Sequence, residues 1–233
     1  MCADFILFID EAYSLIADAG EDPFGHEAVK ALVKRMEDNR DRLIVILAGY
    51  PNEMTRLLES NPGLSSRFVH RIDFADYTPE ELAGIWMLIA RKNEYKMNAA
   101  AMGKLLVGLQ WLFDQRDKHF GNGRLVRNTF EKTIRHLADR IVKISPITKE
   151  HLTQIEASDI RFKDVPDEKI SEEAVAKTRF EACCPECDTK NKIKMEQLCT
   201  EMSCSNCEHK FEVRSASPVT DEPKDEIEKK SNP

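Results

Sequence analysis

Phe5 to Ile9 is an unbroken apolar run that stops at two acids, Asp10 and Glu11. It lacks alternation, as expected of a strand covered on both faces of a parallel sheet, and its bulky residues favour a strand over a short core helix. Leu43 to Gly49 repeats the pattern, and His70 to Phe74 makes a weaker third strand. Between the first two, Ala28, Val29, Leu32, Val33 and Met36 recur at helical spacing, so strand, helix and strand read as a βαβ unit. A chain that opens directly on a buried strand predicts a domain that begins further upstream.

From Pro79 to about Lys143 the period becomes purely helical. Leu82, Ile85, Trp86 and Ile89 share one helical face. Leu105, Leu106, Leu109, Leu112 and Phe113 share a second, and Val126, Phe130, Ile134, Leu137 and Ile141 a third. Thr78, Pro79, Glu80 and Glu81 form a helix start, with Thr as cap and acids in the first turn. The expected class is α/β. It has a partial parallel-sheet core over residues 1–78, an all-α helical subdomain over 79–162, a polar linker over 163–180 and a small β module over 181–214. The polar tail, 215–233, reads as disordered.

That β module changes the picture chemically. Six of the seven cysteines lie between Cys183 and Cys207, a clustering that points to metal rather than to dispersed disulfides. Cys184-Pro-Glu-Cys187 and Cys204-Ser-Asn-Cys207 are two C-x-x-C pairs separated by 16 residues. Two such knuckles offer four thiolates in a tetrahedron, the arrangement of structural Zn²⁺ in a zinc ribbon. Free reduced thiols or a redox pair are the competing readings. Cys183 is a surplus thiol able to compete with Cys184, Cys199 is expected to pack, and His209 reads as a surface residue. A closed Cys₄ site has no open position for catalysis, so the ribbon serves folding, or docks a partner.

The formal net charge of −7 argues against broad binding to nucleic acid or anionic membrane. Lys190, Lys192, Lys194 and Lys210 could give the ribbon a local basic face, diluted by glutamates around them. No apolar run reaches the ~20 residues of a membrane span. The first apolar stretch has no basic flank before it, unlike a signal peptide, so the expected location is the cytoplasm.

Phe5-Ile-Leu-Phe-Ile-Asp10-Glu11 has the form of a Walker B motif. A buried strand brings Asp10 to the C-terminal edge of the sheet, where its carboxylate can hold Mg²⁺ and where Glu11 can polarise a water attacking a γ-phosphate. Other motifs follow in order: Phe24-Gly-His-Glu-Ala28, Met36-Glu-Asp-Asn-Arg40, Ala48-Gly-Tyr50, Asn61-Pro-Gly-Leu-Ser-Ser-Arg-Phe68 and Gly121-Asn-Gly-Arg124. From about Phe5 to Val142 the chain resembles the AAA+ ATPases of the CbbX and stage V sporulation protein K type. The resemblance implies that Asp10 and Glu11 serve Mg²⁺ and water, that Arg67 is an arginine finger reaching a neighbour's ATP, and that Arg124 is the sensor 2 arginine of the lid. It also implies a ring, usually a hexamer, that remodels a substrate protein. The sensor 1 residue is either Tyr50 or Asn52.

One departure is large. No Gly-x-x-x-x-Gly-Lys-Ser/Thr occurs, so the loop that cradles phosphates is missing from these 233 residues. The chain alone is therefore expected to be inactive toward ATP. A non-enzymatic interaction module built of lid and ribbon is the alternative.

Overall fold

β1 (Phe5–Ile9) runs parallel to β2 (Leu43–Leu47), with Phe5 opposite Leu43 and Ile9 opposite Leu47. α1 (Pro23–Asp38) is the crossover between them, and α2 (Pro51–Glu59) and α3 (Pro62–Ser65) follow. The computed structural model describes residues 4–16, 23–214 and 216–219. They divide into two compact units, Met1–Ala75 and Asp76–Pro233.

The first unit has a small core. Ala12, Val29, Leu57 and Leu64 are buried, with Ile9, Val33, Leu47 and Phe68 packed around them. This covers one side of the sheet. The other side is open: Ile6 and Phe8 on β1 and Ile44 and Ile46 on β2 are all substantially exposed. The expectation of strands buried on both faces is therefore not met by these residues. The expected third strand is also absent among the described residues. His70–Phe74 has no secondary structure, and Ile72 and Phe74 are 80% and 92% exposed. A strand needs a neighbour for its backbone N–H and C=O groups, and this segment has none.

The second unit begins at α4 (Pro79–Lys92). The Thr78 hydroxyl accepts from Glu81 N, and Glu81 Oε2 accepts from Thr78 N at 2.8 Å, a complete capping box. β3 (Lys96–Met97), α5 (Ala99–Asp114), α6 (Asn122–Ile141), α7 (Lys149–Thr153) and β4 (Gln154–Ile155) follow, with β3 and β4 paired in parallel. Trp86 and Phe130 meet edge to face at 5.2 Å in the centre of the three long helices. Both side chains lie in the buried core.

α5 is apolar around nearly its whole circumference, the composition of a helix covered on every side. The far side is covered by residues beyond the lid. α8 (Glu172–Lys177) is followed by β5 (Phe180–Cys183), β6 (Lys190–Ile193), β7 (Glu201–Ser203), β8 (Lys210–Glu212) and β9 (Ser217–Pro218). β5 pairs antiparallel with both β6 and β9, and β7 pairs with β8. Phe180, Ile193, Leu198 and Val213 of this module share one buried cluster with Leu105 and Leu109 of α5. Residues 163–180, expected as a linker, bury Val165, Ile170 and Val175. The tail expectation divides: Ser217–Pro218 forms β9, and residues 220–233 lie outside those described.

Two glycines let the layers approach. A Cβ on Gly103 would lie 2.8 Å from Val175, and one on Gly108 would lie 2.1 Å from the Phe162 ring. Gly108→Ala is expected to destabilise the second unit by about 1–3 kcal/mol despite alanine's better helix propensity, because the ring must move. Urea denaturation checks this; an unchanged or raised midpoint would contradict the packing.

Candidate functional site

The parallel pairing of β1 and β2 brings the ends of both strands to one edge. Ala48 N donates to Ile9 O and Ala12 N to Ala48 O, each at 2.9 Å, which fixes the chain on either side of Asp10 and Glu11. Glu11 sits at φ 49°, in the left-handed region, and its amide donates to Asp10 Oδ1 at 3.0 Å. Both acids are exposed. Tyr50, after β2, faces Tyr13 with ring centroids 6.2 Å apart. The Tyr13 hydroxyl is held above its usual pKa, first by desolvation and then by the Glu11, Tyr50, Asp10 and Glu53 charges. Tyr13 therefore belongs to the acidic edge. Tyr13 lies four residues past the end of β1, within the Ile9-Asp-Glu-Ala-Tyr-Ser-Leu15 segment that carries the two acids. Asn52 is exposed in the first turn of α2.

Arg67 follows α3, whose N-cap Asn61 accepts from Gly63 N at 2.7 Å. The guanidinium is engaged within its own unit. Nη2 meets Glu37 Oε2 at 2.6 Å and Nη1 donates to Gly63 O at 3.2 Å. The pair is partly exposed, so its stabilising contribution is small and it can exchange for a stronger anion.

Arg124 lies in the second unit, in the first turn of α6. It is exposed, and among the described residues its side chain makes no hydrogen bond or ion pair. The turn before it is tightly held. Asn122, at φ 44°, accepts from Tyr77 N at 2.9 Å and donates to Asp76 Oδ1 at 2.6 Å. Arg116 completes the set, 3.6 Å from Asp76 Oδ2 and stacked 3.6 Å over Phe113. This clamp ties the start of α4 to the start of α6. Gly121-Asn-Gly-Arg124 stands out as a motif, but the Asp76 partner, 46 residues away, has no local signal. His119 is an exposed loop residue.

The four knuckle cysteines converge. All their sulfurs lie within 4.8 Å of one another, with Cys184 to Cys207 and Cys187 to Cys204 both at 3.6 Å. Four sulfurs about 2.3 Å from one Zn²⁺ would be spaced ~3.8 Å apart, so the donor set fits such an ion. The knuckles are built alike. Cys184 N donates to Thr189 O and Asp188 N to Cys184 O, while Cys204 N donates to His209 O and Glu208 N to Cys204 O. Asp188 and Glu208 turn each knuckle at φ 54° and 59°. Asn206 N and Asn191 Nδ2 donate to Cys204 Sγ at 3.4 and 3.7 Å, stabilising a thiolate. The Thr189 hydroxyl and backbone amide hold the Cys187 thiol down to about 6.

The surplus thiols behave differently. Burial, then Glu212, pushes Cys199 up to about 11, and its side chain packs against the shared core. Cys183 is exposed on β5, is raised by desolvation and then Glu80, and stands outside the cluster. His209 serves the second knuckle through its backbone, its carbonyl accepting from Cys204 N and its amide favouring the Cys207 thiolate.

Comparison with known proteins accounts for most of the chain. Residues 2–76 match the ATPase family associated with various cellular activities (AAA), and residues 78–172 match the AAA lid domain. Stage V sporulation protein K of Bacillus subtilis is 44% identical over 160 residues, which is 68% of this chain and 49% of that protein. A CfxQ homolog of Galdieria sulphuraria is 41% identical over 157 residues, 66% of this chain and 51% of that protein. The chloroplastic ribulose bisphosphate carboxylase/oxygenase activase of Cyanidioschyzon merolae is 40% identical over 157 residues, 66% of this chain and 53% of that protein. The chain thus spans about half the length of the curated relatives it matches. Among the described residues no helix is long and apolar enough to cross a membrane. With the acidic edge, the three-helix lid and the cysteine cluster in place, the chain carries part of an AAA domain, the AAA lid that follows it, and a four-cysteine module packed on that lid.

Proposed function

We propose that this chain contributes the catalytic acids, the arginine finger and the lid to an AAA+ ATPase that uses ATP hydrolysis to remodel a partner protein. The observation that carries the reading is Asp10 and Glu11 at the C-terminal edge of a parallel strand pair, beside Tyr13 and Tyr50. In an open α/β sheet that edge is where ligands bind.

The roles follow from chemistry. Asp10 would hold Mg²⁺ through its carboxylate, and the cation would supply charge neutralisation for the phosphates. Glu11 would orient the attacking water and take its proton. Arg67, displaced from Glu37, would reach the γ-phosphate in the adjacent subunit of a ring, which makes a hexamer the proposed assembly. Arg124, without a side-chain partner among the described residues, would meet a nucleotide from the lid side. Zn²⁺ would occupy the Cys184, Cys187, Cys204 and Cys207 thiolates as a structural ion. The proposed setting is the cytoplasm, where clustered thiols stay reduced for metal.

These 233 residues hold no Gly-x-x-x-x-Gly-Lys-Ser/Thr, so nothing here cradles the phosphates. ATP turnover by the isolated chain is expected at background level. Fusing it behind the corresponding preceding segment of stage V sporulation protein K is expected to give turnover, and Glu11→Gln in that fusion to reduce it by about 10²–10⁴. Turnover by the isolated chain that disappears in Glu11→Gln would refute the claim of inactivity. A fusion that binds ATP but is indifferent to Glu11→Gln would refute the assignment of Glu11.

A second reading is a non-enzymatic interaction module. The observation favouring it is that residues 76–233 form a unit with a core of its own, in which lid and ribbon share buried side chains. Partner capture by that unit without any ATP dependence would support it over the first.

A further inference from the structure

The second unit contains a cavity of about 630 Å³ far in sequence from the Asp10 edge. It lies where three layers meet: α5 through Ala100 and Lys104, the turn after β4 through Ala157, and α8 with the ribbon through Val175 and Met195. Its size falls in the range of small-ligand and peptide side-chain sites.

The lining has a definite polarity. Ile170, Val175, Ala176 and Met195 supply an apolar wall. Lys104, Asp167 and Glu172 supply one ammonium and two carboxylates. Lys104 is only partly exposed, and its Nζ donates to Ala157 O at 3.0 Å. An ammonium has three N–H groups, so two remain for a ligand. Desolvation lowers the Lys104 pKa, opposed by Asp167, with Arg161 lowering it further and Glu172 raising it. Asp167, Glu172 and the Arg161 cation thus all act electrostatically on the ammonium. The Ser171 hydroxyl is already committed: it accepts from Ala174 N and donates to Glu168 O.

The charges select the occupant. Counting Lys104 against Asp167 and Glu172, the lining is net negative by one charge. A ligand carboxylate placed on Lys104 would enter a cavity lined by two carboxylates, and a purely aliphatic ligand would leave the remaining Lys104 N–H groups without an acceptor. A ligand with one cation, one adjacent carbonyl oxygen and an apolar side chain complements the carboxylates, a Lys104 N–H and the apolar wall together.

We propose that this cavity binds the free N-terminus of a peptide whose first side chain is aliphatic. The α-ammonium lies between the Asp167 and Glu172 carboxylates, the first carbonyl oxygen accepts from Lys104 Nζ, and the side chain packs on Ile170, Val175 and Met195. Capture of a terminal amine by converging acceptors is an established mode of peptide recognition. None of the residues assigned to ATP hydrolysis takes part, so the proposal stands independently of the ATPase reading.

The test uses the metal-loaded full chain, the tripeptide amide leucyl-alanyl-alaninamide and its N-acetylated form, with titration followed by calorimetry and by methyl NMR. Saturable binding of the free amine is expected, with shifts at the Ile170, Val175 and Met195 methyl groups. Acetylation, which removes the cation, is expected to weaken it at least tenfold. The exposed pair Asp167→Asn with Glu172→Gln is expected to weaken the free amine at least tenfold while leaving the melting temperature and the acetylated peptide's affinity unchanged. Equal binding of the two peptides, no saturation by millimolar concentration, an unaffected double variant, or shifts confined to methyls elsewhere would each overturn it.

Discussion

Chelating the Zn²⁺ proposed at Cys184, Cys187, Cys204 and Cys207 is expected to unfold the helical lid together with the ribbon. The two knuckles belong to different small sheets, β6-β5-β9 and β7-β8, so a metal held by all four thiolates would join the sheets, alongside the Asn191 hydrogen bonds to Ser205 N and Cys204 Sγ. The module is too small to hold these sheets by its own core. Its apolar residues are spent elsewhere: Phe180, Ile193, Leu198 and Val213 lie in one buried cluster with Leu105, Leu109 and Trp86. Loss of the ribbon would expose one whole side of α5. Structural Zn²⁺ contributes an apparent ~10–16 kcal/mol in small modules, as large as the whole stability of an ordinary domain, ~5–15 kcal/mol.

Circular dichroism at 222 nm reads this directly. Residues 180–219 contain strands and a short 3-10 turn but no α-helix, so any loss of helical signal comes from outside the ribbon. Chelation, or Cys204→Ser, is expected to remove most of the helical signal from a fragment comprising residues 76–233 at 37 °C, and zinc to restore it after chelation. A helical signal that survives chelation with an unchanged melting temperature would show that the lid holds itself.

Replacing Arg140 is expected to give the largest loss among single substitutions away from the metal, about 3–5 kcal/mol for Arg140→Ala. Asp159 is fully buried. Arg140 Nε and Nη2 donate to its two carboxylate oxygens, both at 2.9 Å. The same guanidinium reaches Glu156 Oε1 at 3.0 Å and Gln154 O at 2.9 Å, and Asp159 Oδ2 also accepts from Glu156 N. The Arg140 pKa is raised, first by the Asp159 hydrogen bond, against the opposing effect of burial. This network joins the end of α6 to β4 and the turn behind it. Alanine would leave a buried carboxylate without its counter-charge. Lysine would not substitute, since one ammonium cannot supply the planar fork. The double variant Arg140→Met with Asp159→Leu is expected to recover most of the loss, because it removes both charges. Equilibrium urea denaturation of the three proteins decides the matter: a single variant within about 1 kcal/mol of the parent would contradict the arrangement.

Much of this architecture was legible along the chain because its causes are local. Helical spacing marked α4, α5 and α6, Thr78 and the acids after Pro79 marked a helix start, and the paired C-x-x-C knuckles marked the thiols that converge. Those features depend on residues within one turn or one hairpin. The acidic strand end was legible for the same reason, as a run of five apolar residues ending in Asp10 and Glu11.

What only the tertiary structure decided involves partners distant in sequence. His70–Phe74 has the composition of a strand, yet a strand exists only against a neighbour, and none is available to it among the described residues. The Asp76–Asn122 clamp spans 46 residues and the Arg140–Asp159 pair 19, so neither leaves a periodic trace. Residues 163–180 looked like a linker because charge dominates their composition. Val165, Ile170 and Val175 are nevertheless buried, in the same unit as α5, whose all-round apolar surface needs covering on both sides. Composition and spacing determined the long helices, the first two strands and which thiols gather. Which surfaces those elements cover was decided by long-range packing, since burial depends on the shape of the other layer, and no local pattern encodes that shape.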